Sequence, residues 1–266
     1  MTQRQRANTH ARSLAHTVNR GLAKRQLFRV QQCFAPETRR EVMLKRQAMT
    51  LRTLIFDFDG TLANSFEETL RVANELAPEF GYRPAEPHEI EGLRGASYRS
   101  IAAQLGIAWH KIPLIATRVK REVARNISDM ATFDGLPQVL LELRRRGLQL
   151  GVLTSNDSGN VERFFAARGL TCFDFVTTSS SLWGKERRLK ALMRSRRLGA
   201  HEVAYVGDEV RDIEATKPLG VSMIAVSWGY TSKAFLAQHS PDFIVDTPTD
   251  LLEIPPLKRD AETAPS

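Results

Sequence analysis

Hydrophobic and polar positions change their period along this 266-residue chain. The stretch LIFD (54–57) is a short apolar run that climbs into a carboxylate, as a buried strand does where it reaches a polar edge. After Ser65 the period lengthens. Phe66, Leu70, Ala73, Leu76 and Ala77 recur at three- and four-residue intervals, which predicts an amphipathic helix capped by Ser65 and broken by GYRP (81–84). Helical spacing returns over 88–105 and 112–126, and no strong strand pattern appears before GLQLGVLTSN (147–156). Residues 65–132 are therefore expected to form a mostly helical insert, with FDGL (133–136) as the turn back.

From that turn, strand and helix alternate. The pattern predicts strands at 148–154, 173–177, 203–206, 222–226 and 243–245, with helices at 159–168, 186–198 and 213–219. Such alternation gives an α/β fold with a parallel sheet covered by helices on both faces. Ligands of such a sheet sit beyond the carboxyl ends of its strands. The expected division is a basic extension over 1–50, a core over 51–64 and 133–250, the insert over 65–132 and a loose tail over 251–266.

A hydrophobic content of 42% and a charged content of 26% are ordinary for a soluble globular protein. The net charge of +8 would suggest an anionic partner if it were spread over the body. It is not. Residues 1–50 hold eleven Lys and Arg against two Glu, a net of +9, which leaves 27 basic and 28 acidic residues for all the rest. The extension is expected to be disordered or to reflect a start placed too early, since Met49 opens MTLRTLIFDFDGTL as a first strand would open a domain. Organelle targeting is the alternative, and no aromatic interleaving or zinc spacing favours nucleic acid. Cys33 and Cys172 make neither a disulfide framework nor a metal quartet, and no apolar run approaches eighteen residues. A cytoplasmic protein is expected, of open oligomeric state.

Chemistry collects where the strands are expected to stop. The first ends in Asp57-Phe58-Asp59-Gly60-Thr61, the second in Thr154-Ser155-Asn156, the fourth in Gly207-Asp208-Glu209-Val210-Arg211-Asp212, and Lys185 precedes a helix. Each alone is what turns and caps look like. Together, Asp57, Asp59, Asp208 and Asp212 form a hard-oxygen set of the kind Mg²⁺ prefers. The cation explains the acid pair, because two carboxylates about 5 Å apart repel by about 3 kcal/mol at an effective dielectric near 20. Lys185 and the hydroxyls of Thr154 and Ser155 add donors for an oxyanion, which makes a phosphoryl-transfer site. A nucleotide P-loop is excluded by Ser179, where GxxxxGK would need glycine.

DFDGTLANS, TSN, Lys185 and GDEVRD, in this order, resemble the four motifs of the haloacid dehalogenase-like superfamily, in its phosphoglycolate phosphatase-like branch, over about residues 52–250. The resemblance implies a Rossmann-like core with a helical cap inserted after the first motif. It also implies roles: Asp57 as nucleophile, Asp59 as acid and then base, Thr154 and Ser155 as phosphoryl holders beside Asn156, and Lys185 as the neutralising cation. Asp208 would ligate Mg²⁺ with Asp57 and the Asp59 carbonyl, and Asp212 would ligate or orient. Lys185 is followed by Glu186 rather than the Pro common in relatives, so Lys190 is a second candidate for the cation. Arg94, in LRGAS (93–97), lies where a cap loop would grip a substrate carboxylate or second phosphate. His88, His110, His201 and His239 show no ligand spacing, Trp109, Trp183 and Trp228 are expected to pack, and Trp228 could border the site. The expected function is Mg²⁺-dependent hydrolysis of a small phosphomonoester, with phosphoglycolate first. A phosphosugar mutase and a non-catalytic phospho-ligand-binding regulator are the alternatives.

Overall fold

The computed structural model describes residues 51–179 and 184–257. Six strands form one parallel sheet: β1 Thr53–Phe56, β2 Gln149–Thr154, β3 Phe175–Thr178, β4 Val203–Gly207, β5 Ser222–Val226 and β6 Phe243–Val245, in the order β3-β2-β1-β4-β5-β6. β1, β4 and β5 are buried along their whole length, as strands covered on both faces must be. Their side chains split by parity. Leu54, Phe56, Leu150, Val152, Ala204 and Val206 enter one core cluster, while Ile55, Leu153, Val203, Tyr205, Met223 and Ala225 enter the other.

Helices close both faces. Leu136–Arg145 and Ser158–Arg168 pack Leu140, Leu143, Val161 and Phe164 into the first cluster, and Lys185–Arg196, Val210–Thr216 and Lys233–Gln238 pack Leu189, Met193, Ile213 and Leu236 into the second. The fold is an α/β, Rossmann-like sandwich. β1 sends the chain towards β2, and β4 sends it the other way towards β5, so the gap beyond the carboxyl ends of β1 and β4 is the topological switch point.

Between β1 and β2 the described elements before residue 127 are all helical: α1 Phe66–Phe80, α2 Ile90–Arg94, α3 Tyr98–Gln104 and α4 Ile112–Val123, with short 3-10 turns. Val72 and Leu76 of α1 meet Ile115, Val119 and Val123 of α4 in the same cluster as the first face of the sheet. Gly81, at φ 72°, ends α1 in the left-handed region that glycine tolerates.

Several expectations need correction. Ser65 makes no cap bond; its hydroxyl pairs with that of Tyr230 at 3.0 Å. The helix expected over 88–105 is broken at residues 95–97, where Ser97 accepts from Ser100 N and starts α3 afresh. Two helices were not anticipated, α5 Leu136–Arg145 and α9 Lys233–Gln238; the first was legible in Leu136, Val139, Leu140 and Leu143. In chain order the remaining helices are α6 Ser158–Arg168, α7 Lys185–Arg196 and α8 Val210–Thr216. The tail expected to be loose from 251 is packed as far as Leu257, because Leu251, Ile254 and Leu257 enter the core. The basic extension over 1–50, Trp183 and residues 258–266 lie outside the described residues.

Candidate active site

Residue Phe58, between the two acids of the first motif, is fully buried against the ring edges of Phe164 and Phe165. Burying such a ring is worth about 2–3 kcal/mol, so Phe58 pins the loop that carries Asp57 and Asp59. The loop closes on itself: Leu62 N and Ala63 N donate to Phe58 O, and Gly60, at φ 72°, makes the turn. A Cβ on Gly60 would stand 2.3 Å from Asp208 Oδ2, and one on Gly229 2.2 Å from it, so both positions leave room only for hydrogen.

At the end of β1, Asp57 N donates to Val206 O of β4, which seats the residue at the switch point. Asp57 Oδ1 accepts from Phe58 N at 2.8 Å, and its Oδ2 accepts from Lys185 Nζ at 2.5 Å. Lys185 is the first residue of α7, is buried, and also donates to Asp212 Oδ1. Lys190 is exposed on the outer side of the same helix, so the structure brings Lys185 and not Lys190 to the acids. Burial disfavours the charge on Asp57, but Lys185 and Arg211 outweigh it and hold the carboxyl below its ordinary range. Burial also opposes the charge on Lys185, and Asp212 and Asp57 reverse that, raising it well above a free lysine.

Asp59 has the opposite environment. Its surroundings and the charge of Asp57 push it above the usual carboxylate range, against Lys120 and the Asn156 amide. Two carboxyls two positions apart are thus driven in different directions, Asp57 towards the ionised form and Asp59 towards holding its proton more tightly. Asn156 Nδ2 donates to both oxygens of Asp59, at 3.3 and 3.1 Å, so the amide expected on substrate is held by the acid. Thr154 Oγ1 accepts from Asn156 N at 3.0 Å, which leaves its own proton to donate; Ser155 is buried beside it.

Asp208 Oδ1 accepts from Thr61 Oγ1 at 2.8 Å and its Oδ2 from Tyr230 N at 2.7 Å. Burial, with the charges of Glu209, Asp212 and Asp57, pushes it well above the usual range. Asp212 Oδ2 accepts from Glu209 N at 3.1 Å as the reciprocal cap of α8, and burial pushes this carboxyl up to about 6. Asp57, Asp208 and Asp212 each offer an oxygen, all three within 4.8 Å of one another and all buried. Once ionised, the three would carry more negative charge than Lys185 balances, and an all-oxygen set fits a hard divalent cation.

Arg94 departs from expectation. Its Nη2 donates to the carbonyls of Gly229 at 2.6 Å and Ser227 at 3.3 Å, and its guanidinium lies over the Phe66 ring. It clasps the insert to the loop after β5 instead of presenting a free fork to a substrate. Trp228 borders the first motif, donating to Thr61 O at 3.3 Å and packing on Phe133. Trp109 does not pack; it is 58% exposed with Arg99 over its ring. His88, His110 and His201 are exposed, and the His239 ring meets Phe235 O. Two residues were missed. Tyr230, whose hydroxyl meets Ser65 and Thr69, could have been flagged because SWGYTS follows a strand end. Lys120, whose Nζ reaches Ser155, sits in a run of cations with nothing local to single it out.

Residues 54–226 match the family described as haloacid dehalogenase-like hydrolase. Over 205 residues the chain is 36% identical to a phosphoglycolate phosphatase of Synechococcus elongatus, covering 76% of this chain and 96% of the relative. An N-acetylmuramic acid 6-phosphate phosphatase of Pseudomonas aeruginosa is 26% identical over 77% of this chain and 95% of its own. A solved protein of Haemophilus somnus, described as a predicted phosphoglycolate phosphatase, shares the fold at a TM-score of 0.62 and 21% identity, over 77% of this chain and 98% of that one. The chain belongs to the haloacid dehalogenase-like hydrolases, in the branch that resembles phosphoglycolate phosphatase.

Proposed function

We propose that the protein is a Mg²⁺-dependent phosphatase of small phosphomonoesters, with phosphoglycolate its leading substrate. The observation that carries this reading is the split between Asp57, ionised beside Lys185, and Asp59, held towards its protonated form two residues away. The nearest assignment for the first is nucleophile and for the second general acid.

Asp57 attacks phosphorus, forming a carboxylate-oxygen-to-phosphorus bond as the ester bond breaks. The proton of Asp59 goes to the leaving oxygen. Asp59, now ionised, takes a proton from water, the water oxygen attacks phosphorus, and inorganic phosphate leaves as the Asp57 carboxylate is restored. Thr154 and the backbone N–H of Ser155 hold phosphoryl oxygens, and Lys185 offsets the charge gathered on Asp57 and the group in transit. Asp57, Asp208 and the Asp59 carbonyl would hold Mg²⁺, with Asp212 orienting Lys185; the cation when bound supplies further charge neutralisation. Against dehalogenation stands Asp59, since the dehalogenating members that the motifs resemble lack a second acid.

The test is release of inorganic phosphate from a panel of phosphoglycolate, hexose phosphates, N-acetylmuramic acid 6-phosphate and nucleoside monophosphates, with Mg²⁺ and with chelator. Release that needs Mg²⁺ and vanishes in Asp57→Asn supports the reading. Release that persists in Asp57→Asn overturns it.

A further inference from the structure

An ammonium taken partly out of water without a counter-charge is costly, and proteins rarely leave one so without use. Lys120, near the end of α4, is taken partly out of water and meets the charges of Asp59 and Asp57 only across space, with no ion-pair contact. It is half-buried, and its Nζ donates to Ser155 Oγ at 3.1 Å and to the Ser155 carbonyl at 3.3 Å, both neutral acceptors. No described carboxylate stands within 4.0 Å of it. Lys185 and Arg211, by contrast, each contact carboxylates: Lys185 meets Asp57 and Asp212, and Arg211 meets Glu209. The positive charge on Lys120 therefore lacks a contacting partner within the protein.

Its place says what the partner is. Lys120 comes from the helical insert, yet it sits on the residue next to Thr154, and Asn156, one residue further, holds Asp59. Asp59 is the group that meets the leaving oxygen, so a charge beside it faces the alcohol half of the ester. An anion resting on Nζ would be only a few bonds from phosphorus. A lone lysine offers a single positive point charge, which one carboxylate on the alcohol half balances one for one. Arg94, the other candidate for an anion, is spent on backbone carbonyls.

Resting on the phosphatase reading, we propose that Lys120 is a specificity residue that receives a carboxylate carried by the leaving alcohol, so that the substrate class is short phosphooxy-carboxylates. Phosphoglycolate is the smallest such ester. Ethyl phosphate keeps the same two-carbon chain on the phosphate and lacks the carboxylate oxygens.

The experiment measures kcat and KM for both esters, in Mg²⁺, on the full chain and on Lys120→Met and Lys120→Gln, the latter retaining a donor for Ser155 without the charge. The wild type is expected to prefer phosphoglycolate. That preference, as a ratio of kcat/KM values, should fall by about 10- to 100-fold in both variants, mostly through KM, as expected for one lost charge-assisted hydrogen bond. An unaltered ratio overturns the proposal, whether both activities fall together or neither falls. In parallel, calorimetry on Asp57→Asn with and without Lys120→Gln reads the same preference as a ratio of Kd values. If the wild type hydrolyses neither ester, the phosphatase reading fails, while the Kd ratio still decides the role of Lys120.

Discussion

Asp57 and Asp59 show how two identical side chains acquire different chemistry from their contacts. Lys185 donates to the first, and the amide of Asn156 donates to the second. The amide favours the ionised form of Asp59, so removing it pushes the carboxyl further up. In the proposed mechanism Asp59 acts first as an acid, so the alkaline limb of the rate profile would mark its loss of the proton. Asn156→Ala should therefore move that limb of kcat/KM to higher pH, and a profile measured on both proteins with phosphoglycolate checks it. A limb that stays in place would mean that another group sets it. Most of this site was legible in the chain, because each acid sits at a strand end in a motif with tight spacing. Lys120 and Tyr230 were not, because a helical run of cations and a loop tyrosine take their meaning only from what folds against them.

At the scale of elements, β2 and β3 meet at a close approach. A Cβ on Gly151 would lie 2.0 Å from the Phe175 ring, and that ring is itself held by the Arg196 guanidinium at 3.7 Å. The ring must shift to admit a methyl, so Gly151→Ala should cost about 1–3 kcal/mol of unfolding free energy, read by urea titration, with Phe175→Leu relieving part of it. The clasp of Arg94 is a second element-scale device. It grips the carbonyls of Ser227 and Gly229, and the same loop delivers Tyr230 N to Asp208. On the proposed function, Arg94→Ala should raise the Mg²⁺ concentration for half-maximal rate about 10-fold, as loss of an orienting contact behind a ligand does, with a smaller effect on the KM for phosphoglycolate. A substrate-gripping arginine gives the reverse, and titrating rate against Mg²⁺ and against ester separates the two. The alternation of strand and helix was legible because parallel strands read as apolar runs. α5 and α9 were not, since a short helix beside a turn leaves few periods to count.

For the whole molecule, charge is divided unevenly: residues 1–50 carry a net of +9, and the rest is near neutral around a buried acid cluster. That cluster ties folding to protons and cations. Asp208 and Asp212 are both raised above the ordinary value of 3.8, the latter to about 6, so the folded chain holds their protons more tightly than the unfolded chain does. The stability this confers is complete below the unfolded value and is lost as pH climbs through the folded one. Asp57 works in the opposite sense, being held below 3.8 by Lys185 once burial is overcome. A divalent cation held among these acids, as proposed above, would take the place of the protons. In chelator, the melting temperature should fall between about pH 4 and about pH 7, and the rise produced by saturating Mg²⁺ should be small at the acid end and grow towards about pH 8. Thermal melts across that range, with chelator and with Mg²⁺, decide it. An increment independent of pH would mean that the cation binds away from these carboxylates.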